Sequence, residues 1–137
     1  MDIGEKLYEA AKKTLENRYS DGDGGAAAVY TESGEVFTSV APSVVNSATE
    51  LCIETGAILE AHKYNTAVTH SLCLVRENGA LKILTPCGIC QERLLYWGRD
   101  VLAAVTSNEE QPIVFKTLRE LQPNHWSYAY SDDEFFA

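Results

Sequence analysis

Long hydrophobic runs are missing from these 137 residues. No stretch approaches the ~18 consecutive apolar residues that a membrane-spanning helix needs, so a membrane-embedded chain is not expected. The first residues, MDIGEKLYEA, lack the basic start and apolar core of a secretion signal. The expectation is a soluble, cytoplasmic protein. Positive charge is scarce as well: eleven Lys and Arg face twenty Asp and Glu, for a net charge of −9. That balance repels a phosphate backbone, and no local Lys/Arg cluster offsets it, which argues against a nucleic-acid polymer as partner. A small neutral or cationic ligand suits the charge better, although net charge alone does not choose one. Repeats, low-complexity tracts and Pro/Gly/Ser-rich linkers are also absent, so residues 1–137 are read as a single domain with one core.

What is present is an alternation of helical and extended patterns. Ile3, Leu7, Ala11 and Leu15 recur every four residues, which predicts an amphipathic helix ending near Asn17. A Gly- and Asp-rich loop at 21–25 leads to strands at 26–31 and 36–40, with a turn at 32–35. Ser47 and Glu50 are spaced as a capping box, which predicts a second helix running to about His62. A strand follows at 68–75, then a short extended segment at 81–84 and a break at Thr85-Pro86. A third helix is predicted from Cys87 to about Trp97, where Gly98 stops it. Residues 101–106 and 113–115 read as strands, and 117–121 as a short helix before Pro123. The acidic segment 131–134 is expected to fray. Strands alternating with helices indicate an α/β sheet covered by helices.

Four cysteines are the chemically informative residues. In a cytosolic chain Cys52, Cys73, Cys87 and Cys90 read as thiols or metal ligands rather than disulfides. Cys87 and Cys90 stand three apart where a strand gives way to a helix, so both thiols share one face of its first turn. On the dipeptide pattern alone, zinc ligation, a redox pair and two inert buried thiols stand level. Thirty-five residues upstream lies Cys52, followed two positions later by Glu54. A [His/Cys]-x-Glu, an intervening strand and a Pro-Cys-x-x-Cys form the signature of the zinc nucleoside deaminases. Three thiolates can hold Zn²⁺ and leave a tetrahedral position open for water, and a carboxylate beside that position can move protons.

Over residues 19–126 the sequence resembles the small, single-domain cytidine deaminases, including the blasticidin S deaminase branch. The resemblance rests on Tyr19-Ser20 with Gly25-Ala26-Ala27, on Gly34-Glu35-Val36-Phe37-Thr38 and on Cys52-Ile53-Glu54. It continues through Pro86-Cys87-Gly88-Ile89-Cys90 and Glu120-Leu121-Gln122-Pro123. It implies a three-layer α/β/α sandwich around a five-stranded mixed sheet, assembled as a homotetramer. It also implies one Zn²⁺ per chain on Cys52, Cys87 and Cys90, with Glu54 as the catalytic proton shuttle. The activity implied is hydrolytic removal of an amine from a cytosine nucleoside or related aminopyrimidine.

The chain departs from the pattern where the family contacts the nucleoside. The Asn-x-Glu pair that binds sugar hydroxyls falls on Ala41 and Ser43, and the Arg after the catalytic Glu is Thr55. Substrate contacts are therefore expected from Ser43 and from Trp126, the latter standing just past Pro123 and open between a substrate role and packing. Cys73 reads as a core thiol, and His62, His70 and His125 as ordinary polar or capping residues. Tyr96 and Trp97 suit helix packing or a subunit contact. The other reading is a non-catalytic zinc module, or a thiol–disulfide protein using Cys87 and Cys90.

A geometric constraint remains. Residues two apart in mid-helix point about 200° away from each other. Cys52 and Glu54 can serve one metal only at a helix start, so the regular helix is expected to begin later than Ser47, near 49–51.

Overall fold

The computed structural model describes residues 1–106 and 113–136. The first helix, α1 (Ile3–Arg18), opens on Asp2, whose Oδ1 accepts from the Glu5 amide at 2.8 Å. Its buried face is Gly4, Leu7, Ala11 and Leu15, the stripe that the four-residue period marked. Strands β1 (Gly24–Thr31) and β2 (Val36–Val40) pair antiparallel, and β1 also pairs antiparallel with β3 (Val68–Glu77). Asn78 and Gly79 both have positive φ, 52° and 80°. That two-residue turn folds β4 (Ala80–Leu84) back onto β3.

Among the described residues the sheet has six strands rather than the expected five, in the order β2-β1-β3-β5-β6 with β4 off the path. The cause is the length of β3. Its first part, His70 and Ser71, pairs in parallel with β5 (Leu102–Ala104), while its second part, Cys73–Glu77, takes β4. Two strands thus share one edge of a ten-residue strand. The last strand, β6 (Phe115–Thr117), pairs antiparallel with β5.

Helices cover both faces of the mixed sheet, as the sandwich expectation required. Alternation along β1 makes the separation. Ala26 and Ala28 face α1 with Leu72 and Leu74, whereas Val29 faces the opposite layer with Ala57, Ile58 and Leu94. That second layer contains α2 (Thr55–Lys63) and α3 (Gly88–Leu94). A 3₁₀ turn, Leu95–Trp97, extends α3 until Gly98 stops it at φ +109°. A four-residue helix, α4 (Leu118–Leu121), starts on a capping box between Thr117 and Glu120. Among the described residues no helix is long and apolar enough to cross a membrane.

Two expectations fail. The capping box at Ser47 and Glu50 does not form. Residues 47–49 make a 3₁₀ turn capped by Asn46, and α2 begins only at Thr55. Residues 42–51 are exposed and bury no apolar stripe, so no packing holds a helix there. The acidic tail is not frayed either. Asp132–Glu134 forms a 3₁₀ turn, and Asp132 accepts from Nε of the buried Arg99 at 3.1 Å. The same guanidinium lies 4.0 Å from the Tyr128 ring centroid and 5.2 Å from that of Phe136.

The start of α2 is pressed closely onto the sheet. Ser39 Oγ on β2 donates to the Ile53 carbonyl at 2.6 Å. A Cβ added to Gly56 would stand 2.8 Å from Ser39 Cβ, and one added to Gly25 would stand 2.6 Å from Ile53 Cδ1. Gly56→Ala is therefore expected to destabilise the fold. Overpacking costs about 1–3 kcal/mol, and a helix-propensity gain of at most about 1 kcal/mol offsets only part of it. Urea unfolding checks this, and an unchanged midpoint would mean that the helix start has slack.

Candidate metal centre and active site

Both sequence motifs end up at helix starts. Cys52 precedes the helix altogether and Glu54 is the N-cap of α2. The late start removes the angular conflict between them, one turn further along than expected. Cys87 is the N-cap of α3, and Cys90 lies in its first turn, fully buried.

The three sulfurs converge. Cys52 Sγ is 3.0 Å from Cys87 Sγ, and the ligand atoms of Cys52, Cys87 and Cys90 all lie within 4.8 Å of one another. A disulfide would need about 2.05 Å, and all four cysteines are free. Thiolates ~2.3 Å from a tetrahedral zinc stand roughly 3.8 Å apart. The 3.0 Å contact and the 4.8 Å ceiling bracket that edge, so the cluster is suited to a metal ion.

Glu54 supplies a second indication. Only 3% of it is exposed, and its Oε2 is buried with no hydrogen-bond partner among the described residues. Burial raises its pKa, although its own backbone, Cys73 and Arg93 each pull the other way. A buried, unsatisfied carboxylate oxygen is costly, and native structures keep such groups where they have work to do. The donor set therefore fits a soft cation with a proton-carrying group beside it.

The thiols differ in character. Burial drives Cys90 up to about 12, helped by the Glu54 charge and Cys52, while Arg93 opposes the rise. Cys52 is raised, first by its hydrogen bond with Cys87 and then by burial. Cys87 is lowered overall. Burial pushes it up, but Cys52 and the amides of Cys90 and Ile89 outweigh that. Its sulfur closes no full capping bond, so those amides act as nearby partial charges. Cys73, on β3, is a buried core thiol as expected, and it is also a neighbour of the site. Its pKa is pushed up by burial and by the charges of Glu54, Cys90 and Cys87. Its closeness to Glu54 was not visible in the sequence.

Arg93 was also missed. Its Nη1 donates to Thr55 Oγ1 at 3.2 Å and approaches Cys90 Sγ at 3.7 Å. The i, i+3 spacing of Cys90 and Arg93 on α3 was the available signal; the meeting with Thr55 depends on how α2 and α3 pack.

Comparison with solved structures agrees with this centre. The cytidine deaminase from Bacillus anthracis is 53% identical, with a TM-score of 0.93 over 98% of this chain and 99% of that one. The chain belongs to the cytidine deaminase family. The cytidine deaminase from Mycobacterium leprae superposes with a TM-score of 0.72 at 21% identity, covering 90% of this chain and 100% of that one. That from Burkholderia pseudomallei gives 0.68 at 20%, covering 92% and 100%. At such identities the last two speak for the fold alone. No protein-family model and no curated protein sequence matches the chain.

The remaining two site candidates of this cytidine deaminase family member are Ser43 and Trp126. Ser43 is exposed in the irregular segment after β2. Trp126 opens a 3₁₀ turn and packs against His125, Tyr130 and Phe135. His125 binds Glu92 of α3 and Ser127, so its capping role matches the expectation.

Metal content separates the cysteines. Cys87→Ser is expected to lower bound zinc sharply, whereas Cys73→Ser should leave it unchanged. Elemental analysis of the purified variants makes the comparison, and equal zinc in both would mean that other atoms hold the ion.

Proposed function

We propose that the chain is a zinc-dependent hydrolytic deaminase of a cytosine nucleoside or related aminopyrimidine. One observation carries the reading: the buried, unpartnered carboxylate of Glu54 beside three converging thiols. Cys52, Cys87 and Cys90 would hold the metal, offering three ligand atoms where a catalytic zinc also needs an open fourth position. A zinc ion so held supplies the Lewis acidity that makes hydroxide accessible near pH 7.

Glu54 is the proton carrier in this reading. It takes a proton from water as the oxygen adds to the amino-bearing ring carbon, and returns it to the adjacent ring nitrogen. A second transfer, from the new hydroxyl to the amine, lets the C–N bond break. Ammonia leaves and the carbonyl remains. Burial supports the role, because it raises the carboxyl pKa and makes the carboxylate a better proton acceptor.

The name of the Bacillus anthracis relative favours cytidine or deoxycytidine as substrate. Ala41 and Ser43 argue for weak ribose selectivity, since a site that hydrogen-bonds a hydroxyl draws much of its discrimination from that bond. A modified cytosine nucleoside such as blasticidin S is the second reading, favoured by the net charge of −9. A homotetramer is part of the proposal: Leu59, Ile89, Tyr96 and Trp126 are each 59–69% exposed, which leaves apolar surface for subunit contacts. A light-scattering mass of one subunit at micromolar protein would overturn it.

Glu54→Gln is expected to keep fold and zinc and to lose at least about 10²–10⁴ in turnover. Glu60→Gln, on an exposed part of the same helix, should change little. Near-normal turnover in Glu54→Gln would remove Glu54 from the mechanism. Ammonia release across cytidine, deoxycytidine, cytosine and blasticidin S tests the substrate. A kcat/KM for cytidine near about 10⁶ M⁻¹s⁻¹ would defeat the argument from Ala41 and Ser43.

A further inference from the structure

Three thiolates around one divalent cation leave a single net negative charge, and the Glu54 carboxylate adds another beside it. Such excess charge weakens the metal's Lewis acidity and favours protonation of a ligand, so a nearby cation has a defined task. The position after Glu54 is Thr55, which carries no charge. Thr55 is nevertheless 95% buried, at 5% exposure, with its hydroxyl turned to the Arg93 guanidinium.

We infer that Arg93, aligned by the Thr55 hydroxyl, is the charge-compensating positioning residue of the thiolate centre. Two contacts made by one nitrogen carry the inference: Nη1 reaches Thr55 Oγ1 at 3.2 Å and Cys90 Sγ at 3.7 Å. The same guanidinium couples α2 to α3 through Thr55 and Cys90. The planar guanidinium fixes the directions of the two N–H bonds on Nη1, one toward the hydroxyl and one toward the sulfur, which a lysine ammonium on a flexible stem does less well. Thr55 contributes by accepting: it holds the guanidinium without competing for the charge.

This inference rests on the zinc reading of Cys52, Cys87 and Cys90, and the test separates the two. Full-length zinc-loaded protein is titrated with a competing chromogenic chelator, with folding checked by circular dichroism. Arg93→Gln should weaken zinc binding by about 10- to 100-fold, the usual effect of removing a group that supports metal ligands. Arg93→Lys should recover part of that loss, because the charge returns without the fork. Lys13→Gln, on the exposed face of α1, removes the same charge far from the centre and should change nothing. Thr55→Val keeps Arg93 and tests alignment alone: a smaller loss in the same direction is expected, with Thr55→Ser near the unsubstituted chain. A zinc affinity for Arg93→Gln within about twofold of the unsubstituted chain, or an equal loss in Lys13→Gln, overturns the inference. Should Arg93→Gln fail to fold, an unaltered affinity in Thr55→Val overturns it instead. No zinc uptake by the unsubstituted chain would strike the zinc reading itself.

Discussion

The centre depends on how thin β1 is. Its first five residues are Gly24-Gly25-Ala26-Ala27-Ala28, so no large side chain holds the layers apart at that end. On one face α1 settles Leu7, Ala11 and Leu15 against Ala26 and Ala28. On the other, Ile53 reaches so near Gly25 that any Cβ there would collide with it. The 52–56 segment is thereby brought down onto the sheet, and Ser39 secures it through the Ile53 carbonyl. Close packing fixes the height of Cys52 and Glu54 above the sheet; the cluster inherits its spacing from a stretch of small residues.

Burial and charge oppose each other within the centre. Glu54 and Cys90 are both inside, and burial is the largest influence on each, favouring the protonated forms. Against it stand the helix starts that carry Cys87 and Glu54, the Arg93 guanidinium and the cation the thiols are arranged to bind. Cys73 shows the same environment without relief. Burial and the charges of Glu54, Cys90 and Cys87 all push its thiol up. Cys90, also raised by burial, differs in facing the Arg93 guanidinium, which opposes the rise.

Much of the layout was legible along the chain. The four-residue period located α1, extended runs on either side of the turn at 32–35 located β1 and β2, and Gly98 marked the end of the third helical stretch. The helix before Cys52 was misread because capping-box spacing is a local signal, and a helix also needs an apolar face to bury. Ser47 and Glu50 have the spacing but exposed neighbours; Thr117 and Glu120 have both, since Leu118 is buried. The acidic tail was misread for the converse reason. Asp132 looks solvent-bound until the buried Arg99, thirty-three residues earlier, is placed beside it.

By itself the sequence picked out the candidate residues: Cys52-x-Glu54 and Pro86-Cys87-x-x-Cys90 stand at the spacing of the zinc nucleoside-deaminase signature. It also determined that one helix must begin late, because two groups two residues apart cannot share a target from mid-helix. The tertiary structure decided where the compensating charge comes from. Arg93 and Thr55 are thirty-eight residues apart and belong to different helices, and no local period links them. Their meeting follows from α2 and α3 lying side by side on one face of the sheet, a relation set by burying Val29, Ala57, Ile58 and Leu94 together. Spacing along a chain records what neighbours within one element can do; contacts between elements are settled by packing.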